Sequence, residues 1–266
     1  PLHLWLPNAY AYGPSVASAF LAGTATKVSI YLLLRFFFTI FGGATFFTET
    51  PLPEILKILA LIAMFAASIV AIFQSNIKRM LAYSSVAQIG FIILGISYAT
   101  ETSLTGAMTH MFNHAIMKAG LFLLLGAIMF RLGSVKIEEL SGIGRKMPLT
   151  MAGFVILGLS LIGAPGTAGF ISKWYLGLGA LEQGEWWILV LIVSASLLTM
   201  IYIGRVVEVA YFREPTDEVV QLKEAPLEML WPAYLLIAAA IYFGFDTSFS
   251  ADLARQAAVL LVNAVY

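Results

Sequence analysis

LTGAMTHMFNHAIMKAGLFLLLGAIMF, running from Leu104 to Phe130, is 27 residues long and carries one formal charge, on Lys118. As a helix it would reach about 40 Å at 1.5 Å per residue, more than the roughly 30 Å of a bilayer's hydrocarbon core. Its apolar residues do not alternate with period two, so a barrel strand is excluded and a membrane-spanning helix is expected. The whole chain of 266 residues agrees: 60% is hydrophobic and 11% charged, where a soluble domain carries about 25% charge. Mean hydropathy is +0.90. With 15 Lys plus Arg against 15 Asp plus Glu, there is no basic excess to suggest nucleic acid. Cysteine is absent, so no disulfide, thiolate metal site or iron–sulfur ligation comes from this chain. No G-x-G-x-x-G follows a strand pattern, and no cofactor is expected.

Outward from that stretch, seven segments meet the length requirement of roughly 20 apolar residues: Ser15–Phe38, Pro53–Phe73, Met80–Tyr98, Leu104–Phe130, Leu149–Leu178, Trp186–Phe212 and Leu227–Phe245. The expectation is an all-α polytopic transmembrane bundle over residues 15–245. Residues 1–14 read as a cytoplasmic loop and residues 246–266 as an amphipathic tail. Within the tail, Phe249–Tyr266 is interrupted by Asp252, Arg255 and Gln256 and reads as an interfacial helix. Pro1 opens the chain inside a loop-like run, with neither Met nor a charged leader before it, so a piece of a longer protein is expected. Alternate loops sort by charge. Gln74–Met80, Arg131–Lys146 and Arg205–Lys223 hold Lys78, Arg79, Arg131, Lys136, Arg145, Lys146, Arg205, Arg213 and Lys223. The opposite loops hold Glu49, Glu54, Glu101, Glu182 and Glu185, with only Arg35 and Lys57 as cations nearby. The positive-inside rule places the Lys/Arg-rich loops, and Pro1, in the cytoplasm and Tyr266 on the far side.

Lys27, Lys118 and Lys173 fall inside apolar segments. A lysine at mid-membrane costs about 2.5–3.5 kcal/mol on insertion scales, and such residues usually face the bundle interior or a watery path. The competing expectation is a lysine that snorkels to the interface. His110, His114 and Lys118 recur at i, i+4 and i+8, one stripe of a helix. Imidazole changes charge near neutral pH and passes protons in both directions, so the stripe points to a proton path. The His pair also has the spacing of a helical zinc site, but Met111 stands where a zinc hydrolase of the HExxH kind needs Glu. No further ligand lies in that segment, so no metal is expected. The fifth segment contains Gly163-Ala164-Pro165-Gly166, and a discontinuous helix is expected at Pro165 and Gly166. In transporters a break of this kind marks the conducting site. Ser84, Ser85, Gln88 and Asn113 are candidate polar lining, as are Ser18, Thr24, Thr26 and Ser29. A lysine's ordinary pKa is near 10.4, so any lysine that relays protons at neutral pH needs about 4–5 kcal/mol of environmental bias.

Four runs, in order, resemble one family. Pro1-Leu2-His3-Leu4-Trp5-Leu6-Pro7-Asn8-Ala9 is similar to its PLHxWLPDA loop, with Asn8 in place of the usual Asp. Asn76-Ile77-Lys78-Arg79-Met80-Leu81-Ala82-Tyr83-Ser84-Ser85 is similar to its (D/N)IKRxLAYSS motif. His110 through Leu123, then Pro165 to Lys173, complete the match, which covers about Pro1 to Arg213. The family is that of the antiporter-type membrane subunits of complex I, membrane hydrogenases and Mrp cation/proton antiporters. The resemblance implies about fourteen helices with two inverted five-helix repeats, of which this chain would hold the end of the first, the whole second and the C-terminal helix. It implies that a Glu–Lys pair precedes this chain. It matches Lys27 to the connecting lysine of the proton route, His110 and His114 to the central histidines, Lys118 to a lysine one turn on, and Lys173 to the terminal residue on the second broken helix. Lys at both 27 and 173 is similar to the Mrp Na⁺/H⁺ antiporter branch of the family or to the quinone-proximal complex I branch, and the run Gly166 to Leu176 is most like the Mrp branch. Implied partners are other membrane subunits, the lipid bilayer, H⁺ and Na⁺, in the plasma membrane of a prokaryote. The alternative, a proton-pumping subunit of an NADH:quinone oxidoreductase or hydrogenase, leaves any redox chemistry to other subunits.

Overall fold

A computed structural model describes residues 3–263, with the side chains of residues 44 and 45 outside that description. Pro1, Leu2 and the far terminus expected at Tyr266 lie outside the described residues. In chain order the helices are α1 (Trp5–Tyr12), α2 (Ser15–Leu34, continued by π-helical turns through Ile40), α3 (Gly43–Glu49), α4 (Leu52–Ile72), α5 (Ile77–Tyr98) and α6 (Glu101–Leu132). They continue with α7 (Pro148–Ile162), α8 (Ala168–Glu182), α9 (Trp186–Phe212), α10 (Asp217–Val220), α11 (Leu227–Phe245) and α12 (Ser250–Val262). Six of these segments are long and apolar enough to cross a membrane. The halves α7 and α8, of 15 residues each, reach only about 22 Å apiece. Helix α7 and the segment Ile137–Arg145, bent by 112° against it, pass the same test together, which makes seven crossings if that bent pair is one span.

Capping chemistry sets the ends. Asn76 opens α5, its Oδ1 accepting from the Arg79 N–H at 3.2 Å. Thr100 and Ser103 bond reciprocally at the start of α6, with Glu101 in its first turn and Arg131 in its last, where they complement the helix dipole. Pro148 starts α7, and Gly163, at φ +94°, ends it. Helix α6 is the axis of the bundle, with α2, α5, α7, α8, α11 and α12 all packed on it.

The charge pattern of the loops is carried into two distinct ends of the bundle. At one, Arg205 donates to the carbonyls of Ile72 and Gln74, Arg131 donates to that of Glu224, and Asn76 pairs with Lys136 in a short antiparallel bridge. At the other, Lys57 pairs with Glu54 and Glu185 at 3.2 and 2.8 Å, Thr102 meets Glu182, and Arg255 pairs with Glu101. Two expectations are corrected. Residues 1–14 are not loop throughout, because Trp5–Tyr12 is helical with Leu6 and Tyr10 buried. Arg131–Lys146 is not a solvated polar loop: two 3₁₀ turns tuck Ile137, Leu140 and Ile143 completely inside. The tail holds a helix, α12, that packs on α6, and Ser250, Ala251, Ala254 and Ala258 are its buried residues.

The contact of α7 with α8 is tight enough to test by substitution. A Cβ on Gly169 would lie 1.8 Å from the Ser160 carbonyl oxygen. Gly169→Ala therefore forces α7 and α8 apart, at a cost of about 1–3 kcal/mol or more, and a lowered melting temperature of the detergent-solubilised protein is the measurement. A second expected outcome concerns Glu185. Burial opposes its ionisation, but the Lys57 ammonium and the Tyr98 hydroxyl outweigh that and hold its carboxyl below the usual carboxylate value. A depressed folded value contributes stability that is complete above the unfolded pKa and disappears as pH falls through the folded one. Glu185→Gln is expected to lower stability at neutral pH by about 1–3 kcal/mol. It should also flatten the acid side of a stability-against-pH curve, and an unchanged acid limb would contradict this.

Candidate functional site

On α6, His110, His114 and Lys118 form the expected stripe, and none has exposed surface. The two imidazoles lie parallel, 3° apart with centroids 6.1 Å from each other, as i, i+4 spacing dictates. His110 is held on both sides. Its Nδ1 is 2.8 Å from Ser172 Oγ of α8 and its Nε2 is 2.9 Å from Gln88 Oε1 of α5. His114 is bare by contrast: neither ring nitrogen has a hydrogen-bond partner among the described residues. It stands within electrostatic reach of Lys27, Lys118, His110 and Lys173.

All three mid-segment lysines point inward; none snorkels. Lys118 Nζ donates to the Leu81 carbonyl at 2.8 Å and to the Ser84 hydroxyl. Lys27, 8% exposed, donates to the Ala22 carbonyl of its own helix at 2.5 Å. Lys173 donates to the carbonyls of Leu161 (3.1 Å) and Ile162 (2.9 Å) and to Ser196 Oγ (2.9 Å). It also sits 4.7 Å from the Phe91 ring centroid. Leu161 and Ile162 are the last residues of α7, so the ammonium caps the negative end of that helix. Among the described residues, none of the three forms an ion pair; Lys57 of α4, by contrast, has two carboxylates.

The break between α7 and α8 is complete over residues 163–167. Pro165 itself is exposed, while Gly166 lies against Gly244 of α11. Asn113 Nδ2 binds the carbonyl of Ala168, the first residue of α8, at 2.7 Å, and its Oδ1 is left without a partner, as is Gln88 Nε2. Of the expected lining, Ser84, Gln88 and Asn113 join the site. Ser85 bonds only the Leu81 carbonyl of its own helix, and Thr24 and Ser29 face outward and bond carbonyls of theirs. Ser172, Ser196 and the buried Tyr202 are absent from the sequence expectation; the Tyr202 hydroxyl faces Ser84, Gln88 and Thr199 beyond direct bonding range. Their signal was a hydroxyl in an apolar helix, which also suits ordinary packing. Lys78, expected in a loop, is buried with its Nζ 3.3 Å from the Gly13 carbonyl.

Chemically, the cluster places amines and imidazoles, all able to gain or lose a proton, in one buried zone shared by α2, α5, α6 and α8. Among the described residues no three His, Asp or Glu side chains converge as metal ligands would.

Comparison with known proteins fits this geometry. The chain is 45% identical over 213 residues to NADH-quinone oxidoreductase subunit N of Desulforudis audaxviator, covering 80% of this chain and 42% of that protein. It is 32% identical to the D subunit of the Na(+)/H(+) antiporter of Alkalihalophilus pseudofirmus, covering 92% of this chain and 49% of that one. It thus spans about half the length of the curated relatives it matches. A chain in the structure of the Mrp complex from Dietzia sp. DQ12-45-1b superposes with a TM-score of 0.90 at 24% identity, covering 99% of this chain and 56% of that one, which shows the shared fold. The transmembrane family described as NADH:quinone oxidoreductase/Mrp antiporter matches residues 1–199, and the chain belongs to that family.

Proposed function

We propose that this chain is the proton-translocating part of a membrane subunit in a multi-subunit Na⁺/H⁺ antiporter of the Mrp type. Protons are shared among Lys27, Lys118, His114, His110 and Lys173 across the middle of the bundle. One observation carries the reading: three buried lysines, unpaired with any carboxylate among the described residues, surround two parallel imidazoles. A bundle built for stability alone would treat them as it treats Lys57, which is matched to Glu54 and Glu185. Burying a lone charge costs several kcal/mol, so an arrangement that repeats the cost three times has a use for it.

In this reading Lys27 and His114 exchange a proton near the centre, and Lys118 lies toward the Lys/Arg-rich end. His110 hands on to Lys173 at the helix break. The open positions on His114, Asn113 and Gln88 are of the kind that ordered water satisfies, and water would link groups too far apart to touch. The Lys/Arg-rich end is assigned to the cytoplasm by the positive-inside rule, and the membrane is the plasma membrane of a prokaryote. Partners are further membrane subunits, as in the Mrp complex that shares the fold. Lipid, H⁺ and Na⁺ complete the set. The same path would serve a proton-pumping subunit of an NADH:quinone oxidoreductase, a second reading supported by the 45% identity to a subunit N.

The test uses the complete assembly, purified and reconstituted in vesicles with a pH-sensitive dye. Lys27→Ala and Lys173→Ala are each expected to lower proton flux at least about tenfold, equivalent to roughly 1.4 kcal/mol on the barrier. Unchanged flux in Lys27→Ala removes the relay. Flavin or iron–sulfur absorbance in the purified assembly would move the chain to the redox reading, whereas Na⁺-driven flux without such bands supports the antiporter.

A further inference from the structure

Ser172 immediately precedes Lys173 and is completely buried in the first turns of α8. Its Oγ lies 2.8 Å from His110 Nδ1 and 3.1 Å from the Gly169 carbonyl oxygen, with the Ala168 carbonyl at 3.5 Å. A hydroxyl has one hydrogen to donate. On the opposite side of the ring, Gln88 Oε1 is 2.9 Å from Nε2. An amide oxygen only accepts, so Nε2 carries a hydrogen. Two states remain for Nδ1. In the neutral ring it accepts from the Ser172 O–H. In the imidazolium it donates to Ser172 Oγ, and the hydroxyl turns toward the Gly169 carbonyl.

Resting on the relay reading above, we propose that Ser172 is a positioning residue that lets His110 be neutral or charged without moving a heavy atom. It ties that charge to the backbone of the half-helix that carries Lys173. The hydrogen that Nδ1 gains is one that Lys173 gives up in the relay, and it returns to Lys173 when the ring becomes neutral; the Ser172 O–H bond stays intact and changes only direction. The charged and titratable groups facing His110 are His114 on its own helix, Lys173 on α8 and Lys27 on α2. Helix α5 offers it only the uncharged Gln88 and Phe91.

The experiment measures proton flux against pH in the reconstituted complete assembly for Ser172→Ala, Ser172→Thr, Ser97→Ala and Lys27→Ala. Ser97 is a buried serine that bonds only the Leu94 carbonyl of its own helix, at 2.7 Å, and its variant should match wild type. Without an acceptor at Nδ1 the imidazolium loses a charge-assisted bond, the stronger of the two kinds. Ser172→Ala is therefore expected to lower flux about tenfold at neutral pH and to move the flux midpoint about one unit toward lower pH. Ser172→Thr keeps the hydroxyl and should restore flux to within about twofold, with the wild-type midpoint. Wild-type flux and midpoint in Ser172→Ala, alongside lost flux in Lys27→Ala, would overturn the role of Ser172 and leave the relay standing. Equal slowing in both Ser172 variants with an unmoved midpoint would also overturn it, since the effect would then be one of packing. Unchanged flux in Lys27→Ala would remove the relay itself and the role of Ser172 with it.

Discussion

A helix that stops inside a membrane bundle leaves carbonyl groups that need donors. Water is scarce there, and an unsatisfied backbone group costs several kcal/mol. Helix α7 stops at Ile162, and the donor for the carbonyls of Leu161 and Ile162 is the Lys173 ammonium. Gly163 closes the turn at positive φ, donating its own N–H to the carbonyls of Leu159 and Ser160. The rest of the site follows from this stop. Helix α8 restarts at Ala168, whose carbonyl is held by Asn113, and Gly169 lets α8 approach the Ser160 carbonyl closely. That approach brings Ser172 to His110. An uninterrupted helix from Leu149 to Leu178 would satisfy its own backbone and give Lys173 no carbonyls to cap.

In the proposed relay the same group would have two jobs whose energies are comparable. A cation at a helix C-terminus gains about 0.3–1 kcal/mol, and up to about 2 when partly buried. A membrane potential of 100 mV contributes about 2.3 kcal/mol per charge moved across it. Neither quantity dwarfs the other. A cap of that size holds an ammonium in place yet yields to a change in potential or in the charge of His110. A carboxylate partner, as at Lys57, would fix the proton far more firmly. Lys57 is doubly paired at the bundle's end, whereas Lys27, Lys118 and Lys173 bond only carbonyls and hydroxyls among the described residues, the contrast that the proposed relay would need between a clamp and a carrier.

Most of the fold was legible because helix length and loop charge are local signals. The spans around Pro53–Phe73 and Trp186–Phe212 hold to within a residue or so. The break at Gly163-Ala164-Pro165-Gly166 was written in residue types that no continuous helix favours. The lysines and histidines were legible because charge in an apolar run is expensive. Hydroxyls carry no such mark. Ser172 and Ser196 look like small packing residues until α8 and α9 are seen around His110 and Lys173, and Ser85 looks as functional as Ser84 although only Ser84 meets Lys118. Lys78 was misread because whether a cation near a helix end is solvated or buried depends on what folds over it. The loop expected at Arg131–Lys146 hides Ile137, Leu140 and Ile143, a period-three apolar pattern too short to register.

The proposed relay would leave the choice of driver to partner subunits, and the reason is physical. A chain of protonatable groups responds to the charge placed beside it, whatever puts it there. A cation arriving in a neighbouring subunit and an electron arriving on a distant cofactor would both reach Lys27 as an electrostatic change at the α2 side of the cluster. Identity of 45% to a subunit of an NADH-quinone oxidoreductase and of 32% to an antiporter subunit is consistent with one proposed relay serving either driver. The outward faces of α2 and α4, rich in exposed Val, Leu, Ile and Phe such as Val16, Phe20, Val28, Ile55, Ile58 and Ile62, are apolar enough to meet either a lipid or another helix.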